Sequence, residues 1–268
     1  MDAIEALKRG WMTMLNSIPL VLIIFGLNVI SAGILLALVG LTPTPEKVNS
    51  VIVPVLFFFV ILIVLWIVLQ GGIIASLLSR IKANDLKLGD FMGNCFKFCP
   101  RLLGLNCIGG FLFMAMVFTA AVLVGIFIAL GQGKNIFFNA IALLVGIISL
   151  AAVIFVSLSL FFGQYASVID DSGVMAAIKK GFKAFRRWWG RSVVLFILLA
   201  LQGLVFSLLI NGISALLIKA VGENLITVLI NVILTSTLNG FIGIYAGASV
   251  VNLLLSYNES IAAETPAA

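Results

Sequence analysis

Histidine is absent from this sequence of 268 residues, which removes imidazole acid–base catalysis, haem ligation through histidine and most zinc catalytic sites. Charge is scarce as well: Asp, Glu, Lys and Arg together make up 10% of the chain, against ~25% in soluble domains. None of that charge falls within six long apolar runs, 18–41, 51–79, 102–130, 136–169, 192–218 and 225–257. Intramembrane charge is the usual mark of proton relays, ion-coupled sites and voltage sensors. Its absence argues against a pump, an ion-coupled transporter or a redox subunit, and leaves open a channel or a carrier of neutral substrate. Cysteine is limited to Cys95, Cys99 and Cys107. One Cys-x-x-x-Cys pair with no second pair is a poor metal motif. Buried small hydrophobes are expected there, with palmitoylation of a juxtamembrane cysteine as the alternative. No metal or cofactor is expected. A cleaved signal peptide is not expected either, because Asp2 and Glu5 precede the first basic residues and the apolar run is too long.

What the chain has in abundance is hydrocarbon. Hydrophobic residues make up 63% of it, and the mean hydropathy is +1.28. Each apolar run is long enough to cross the roughly 30 Å hydrocarbon layer of a bilayer. The expected fold is all-α: a polytopic integral membrane protein of six transmembrane helices, forming one transmembrane domain over 1–268 with a disordered tail at 258–268. Proline-rich TPTPEKVN (42–49), GQGKN (131–135) and KAVGEN (219–224) read as the short turns within each pair of spans.

Three amphipathic segments introduce the three pairs. In 2–16, Ile4, Leu7, Trp11, Met14 and Leu15, continued by Ile18, form one stripe; Pro19 suits the first turn of the span that follows. In 80–101, Lys87, Asp90, Asn94, Lys97 and Arg101 oppose Leu88, Phe91, Met92, Cys95 and Phe96, with Pro100 in the place of Pro19. The third, 174–189, is the most basic. Val174, Ile178, Phe182, Phe185 and Trp189 share one face, and Lys179, Lys180, Lys183, Arg186 and Arg187 the other. Each reads as a helix lying in the membrane interface, aromatics at headgroup level and cations toward phosphate. Asp171 or Ser172 is placed to N-cap the third.

The recurrence of surface helix, span, turn and span implies a threefold parallel repeat with units of about 1–80, 81–170 and 171–257. Lys8-Arg9-Gly10-Trp11 matches Lys179-Lys180-Gly181-Phe182, and Ala75-Ser76, Ala166-Ser167 and Ala248-Ser249 recur near the ends of alternate spans. Thirteen of the sixteen basic residues lie on the side of the amphipathic segments, and only Lys47, Lys134 and Lys219 on the other. The positive-inside rule then puts both termini and all three surface helices in the cytoplasm.

Two groups of residues are candidates for function. Lys179, Lys180, Lys183, Arg186 and Arg187, with Trp188 and Trp189, could capture anionic lipid headgroups or an acidic partner; their simpler role is to fix topology. The net charge of +6 is taken as a match for anionic lipid rather than nucleic acid, because the cations cluster beside spans. Thr227, Asn231, Thr235 and Asn239 recur every fourth residue in the sixth span. Facing Ser207, Asn211 and Ser214 of the fifth, they read as helix-packing groups or as a polar seam lining a lumen. Gln70 and Gln164, each beside glycine, read as packing positions.

The run Gly163-Gln164-Tyr165-Ala166, then Asp170-Asp171-Ser172-Gly173, then Ala176-Ala177-Ile178-Lys179-Lys180-Gly181-Phe182 resembles prokaryotic six-span proteins of the YciC type. It is similar too to the membrane domain that precedes some glycerophosphodiester phosphodiesterases. Members commonly carry Ser where this chain has Gly181. The resemblance implies a prokaryotic cytoplasmic-membrane protein and supplies no catalytic residues, so phosphodiesterase activity is not expected. The resulting expectation is a non-enzymatic protein that organises membrane or interacts with lipid, as an accessory subunit or a homo-oligomer. The alternative is a carrier or channel for a neutral or amphiphilic substrate.

Overall fold

A computed structural model describes residues 1–40, 45–86, 88–131, 135–222 and 224–264, with side chains from 51 onward in the second stretch. These form α1 (Ala3–Leu15), α2 (Ile18–Val39), α3 (Pro45–Ala83), α4 (Phe91–Leu130), α5 (Ile136–Ile169), α6 (Val174–Arg187), α7 (Trp189–Val221) and α8 (Leu225–Glu264). Six of them, α2, α3, α4, α5, α7 and α8, are long and apolar enough to cross a membrane, the build of a multi-pass membrane protein. The turn residues 42–44, 132–134 and 223, the cation Lys87 and the last four tail residues lie outside the described residues.

Local chemistry sets the helix boundaries. Asp2 caps α1 by accepting a 2.8 Å hydrogen bond from the Glu5 amide, and Glu5 pairs with Arg9 one turn on at 2.6 Å. Asn16 closes α1 by donating to the Met12 carbonyl at 2.9 Å, and Pro19 sits in the first turn of α2. Three boundaries differ from expectation. Pro100 does not separate a surface helix from a span: α4 runs through it, costing one backbone bond, because Cys95, Phe98, Leu102 and Leu105 form one buried stripe across the proline. The fifth span begins at Trp189, not Ser192, since α6 stops only at Trp188. The tail expected to be disordered from 258 is helical through Glu264, as α8 continues.

Contacts group the chain into two compact units, Met1–Phe98 with Gly190–Ala268, and Cys99–Trp189. In the first, α1 and α2 approach α8 closely and α3 packs against α2 and α8. Glycine permits both approaches. A Cβ on Gly10 would stand 2.9 Å from the Ser249 nitrogen, and one on Gly240 2.9 Å from the Val21 carbonyl oxygen. The core lies at one end of the unit, where Leu20, Val21 and Ile24 of α2, Ile73, Ile74 and Leu77 of α3 and most of Ile244–Leu254 of α8 are buried. In the second unit α6 lies along α5. Here a Cβ on Gly181 would meet the Gly163 nitrogen at 2.6 Å and its Cα at 2.8 Å.

The three amphipathic segments share one departure from the sequence reading. In α1 the buried residues are Ala3, Ala6, Leu7, Gly10 and Met14, while Ile4, Trp11 and Leu15 of the expected stripe stay exposed. In α6 they are Ala177, Gly181, Ala184 and Phe185, while Met175 and Trp189 are each 64% exposed. At the start of α4, Phe91, Cys95 and Phe98 are buried and Met92 and Phe96 exposed. Each segment thus has two apolar rows, one against protein and one, which includes bulky residues, turned outward.

Gly181→Ala is expected to destabilise the protein by about 1–3 kcal/mol through overpacking against rigid backbone. Thermal unfolding in detergent measures this. Gly203→Ala, whose added Cβ meets open space, is the matched control and should not lower the midpoint; equal midpoints for the two would contradict the packing account.

Candidate functional site

The most strongly basic surface is α6, and the turn before it fixes how it is presented. The Ser172 amide donates to the Ser167 carbonyl at 3.1 Å, and Asp171 takes a left-handed conformation, φ +49°. Neither Asp171 nor Ser172 caps the helix as expected. The N-cap is Gly173, without a side-chain bond, because the acidic pair reaches elsewhere. Asp170 accepts from Lys180 at 2.6 Å, and Asp171 accepts from Arg101 of α4. Gln164 donates to Asn106 at 3.0 Å, tying α5 to α4 just below the turn. These bonds lock α6 against its own unit, and the sequence hid them because the partners lie ten and seventy positions away.

Lys180 is therefore engaged, and Lys179, Lys183, Arg186 and Arg187 are exposed. Beneath them is an aromatic cluster. Phe155 of α5 stands edge-on to Phe185 at 5.2 Å and tilted against Phe182 at 6.0 Å, and Phe162 backs Phe185 at 6.0 Å. Phe155, Phe182, Lys183, Arg186 and Arg187 line an open groove of about 580 Å3. Chemically the groove combines an apolar floor with three flanking cations, and the exposed Trp189 and half-buried Trp188 stand at the helix end. Phe155 was missed in the sequence because nothing in a uniformly apolar span marks it.

The polar residues of α7 and α8 assemble only in part. Ser214 donates to the Asn231 side-chain oxygen at 2.8 Å and Thr235 to the same oxygen at 3.3 Å, so Asn231 bridges the two helices. Asn211 donates instead to Ser207 of its own helix at 3.4 Å. Asn239 is exposed, and among the described residues nothing bonds it. Thr227 turns back to its own N-terminus, where its amide bonds the Asn224 side chain at 3.0 Å.

A second polar groove, of about 500 Å3, lies among α1, α3 and α8 and includes Lys8, Arg9, Arg80, Asn84 and Asn252. Arg9 is held by Glu5, and Arg80 donates to the Asn84 carbonyl at 2.7 Å. The three cysteines are free, Cys95 buried, Cys99 half-buried and Cys107 exposed.

The chain matches a domain of unknown function, DUF7847, over residues 1–257. It belongs to that family. The match covers all eight helices, ending within α8, so the surface segments are part of the family domain and not additions to it. No curated protein and no solved structure matches the chain.

Proposed function

We propose that this protein is a non-enzymatic, lipid-interacting organiser of the cytoplasmic membrane of a prokaryote, working as an accessory subunit or homo-oligomer of the YciC-like kind. Both termini and the three surface segments lie in the cytoplasm, where the positive-inside rule puts thirteen of the sixteen basic residues. The observation that carries the reading is the division of labour on α6. Its small residues are taken up against α5, and its exposed Lys183 and Arg186 stand beside Phe155 and Phe182, which suits a ligand that is anionic at one end and apolar at the other. Nucleic acid would leave the apolar floor unused.

The threefold repeat belongs to this proposal. It is supported by a recurring contact in which a surface segment lies on the end of the span that precedes it: residues 91–98 on α3 near Gly72, and α6 on α5 near Gly163. The cycle closes with α1 on α8 near Ser249.

Neutralising Lys179, Lys183, Arg186 and Arg187 to Gln should remove preferential copurification of anionic phospholipid, measured by lipid mass spectrometry, while protease protection checks that topology is kept. An unchanged lipid profile in a correctly oriented protein contradicts the reading. A second reading, a carrier or channel for neutral substrate, is favoured only by the exposed Asn239 in line with Asn231 and Thr235. It requires that Asn231→Leu with Asn239→Leu abolish flux of a small neutral solute in proteoliposomes; flux indistinguishable from protein-free vesicles before mutation rules it out.

A further inference from the structure

The first unit holds a cavity of different chemistry, walled by α1, α7 and α8. Its volume is about 370 Å3, more than twice the ~150 Å3 apolar cavity that accepts benzene. Trp11, Phe206 and Phe241 supply aromatic walls. The polar groups are few, Gln202 and Tyr245. Tyr245 is buried and meets the edge of Trp11 at 5.9 Å.

The cavity exists because α7 does not approach α8 as α1 and α2 do. The glycine contacts that draw α1 and α2 onto α8 have no counterpart on α7, where Gly203 and Gly212 face open space. Away from the cavity α7 exposes Leu201, Leu204 and Val205, the residues of a span that meet hydrocarbon. Water has little to bond inside, and an unfilled apolar void of this size forfeits contacts on every wall. The solvent at the mouth is lipid tail.

We infer that this cavity is a binding site for one hydrocarbon chain of a bilayer lipid, inserted sideways between α7 and α8 beneath Trp11. The Trp11 ring caps the chain at headgroup level, and Gln202 with Tyr245 closes its inner wall without asking for a polar ligand. The site is separate from the basic groove on α6 and goes beyond the proposed function, which concerns headgroup charge.

The test uses the full chain in detergent, with Trp66, Trp188 and Trp189 replaced by Phe so that Trp11 is the sole tryptophan. Dibrominated stearate is the probe, because bromine quenches indole fluorescence on contact. Quenching should saturate at one probe per protein and be reversed by unbrominated stearate. Leu238→Phe and Ile242→Phe, which fill the cavity, should each weaken binding by about tenfold, whereas Leu204→Phe on the outer face of α7 should not. Gel filtration confirms that each variant is folded, and the competition arm on the parent protein needs no cavity variant. Quenching that rises without saturation, or that stearate does not reverse, overturns the inference, as does unaltered affinity in a folded cavity-filling variant. Because Trp188 and Trp189 are already replaced and no cation is altered, failure here is distinguishable from failure of the headgroup reading.

Discussion

The contact on which most of this structure depends is the near-touching of backbones at small residues: Gly10 on Ser249, Gly240 on Val21 and Gly181 on Gly163. Between apolar helices surrounded by lipid, burying more hydrocarbon gains little, because lipid tails are as apolar as leucine. What remains is close packing, and it requires side chains small enough to let backbones approach. That explains why α1 buries Ala3, Ala6 and Gly10 and α6 buries Ala177, Gly181 and Ala184, while Ile4, Trp11 and Trp189 stay exposed. It also explains why α7, without such a contact, borders a cavity.

The same constraint organises the electrostatics. Once α6 is seated by Ala177, Gly181 and Ala184, its register decides which cations are spent within the protein. Lys180 falls beside Asp170 and is consumed by it. Lys183, Arg186 and Arg187 fall on the far side, beside Phe155 and Phe182, and line the groove there. Trp189, at the helix end, is exposed. The placement of the cations thus follows from one packing face.

Much of the architecture was legible in the sequence because the bilayer simplifies the reading. Six charge-free runs of spanning length and Pro19 at a helix start needed only length, charge and local chemistry. The packing faces of α1 and α6 were not legible. A hydrophobic stripe is judged by the bulk of its residues, so Ile4, Trp11, Phe182 and Trp189 outweighed Ala6, Gly10, Ala177 and Gly181. Pro100 misled for a related reason, since a proline reads as a boundary unless a buried stripe runs through it. In the candidate site the cations of 174–189 were visible as a cluster, but the pairings Asp170–Lys180 and Asp171–Arg101 depend on a fold that brings distant positions together. The polar ladder of α8 was visible as a period of four, yet only Asn231 finds Ser214 across the helix pair.

Cysteine accessibility along 174–189 tests the central claim most directly. In a variant with Cys95, Cys99 and Cys107 replaced by Ser, single cysteines are introduced through the helix, and membranes are labelled with an impermeant maleimide from the side carrying the termini. The account predicts protection at 177, 181, 184 and 185 and labelling at 179, 183 and 186, with Met175 and Trp189 positions sensitive to added lipid. Protection that follows 174, 178, 182, 185 and 189, with 177 and 181 labelled, would contradict it.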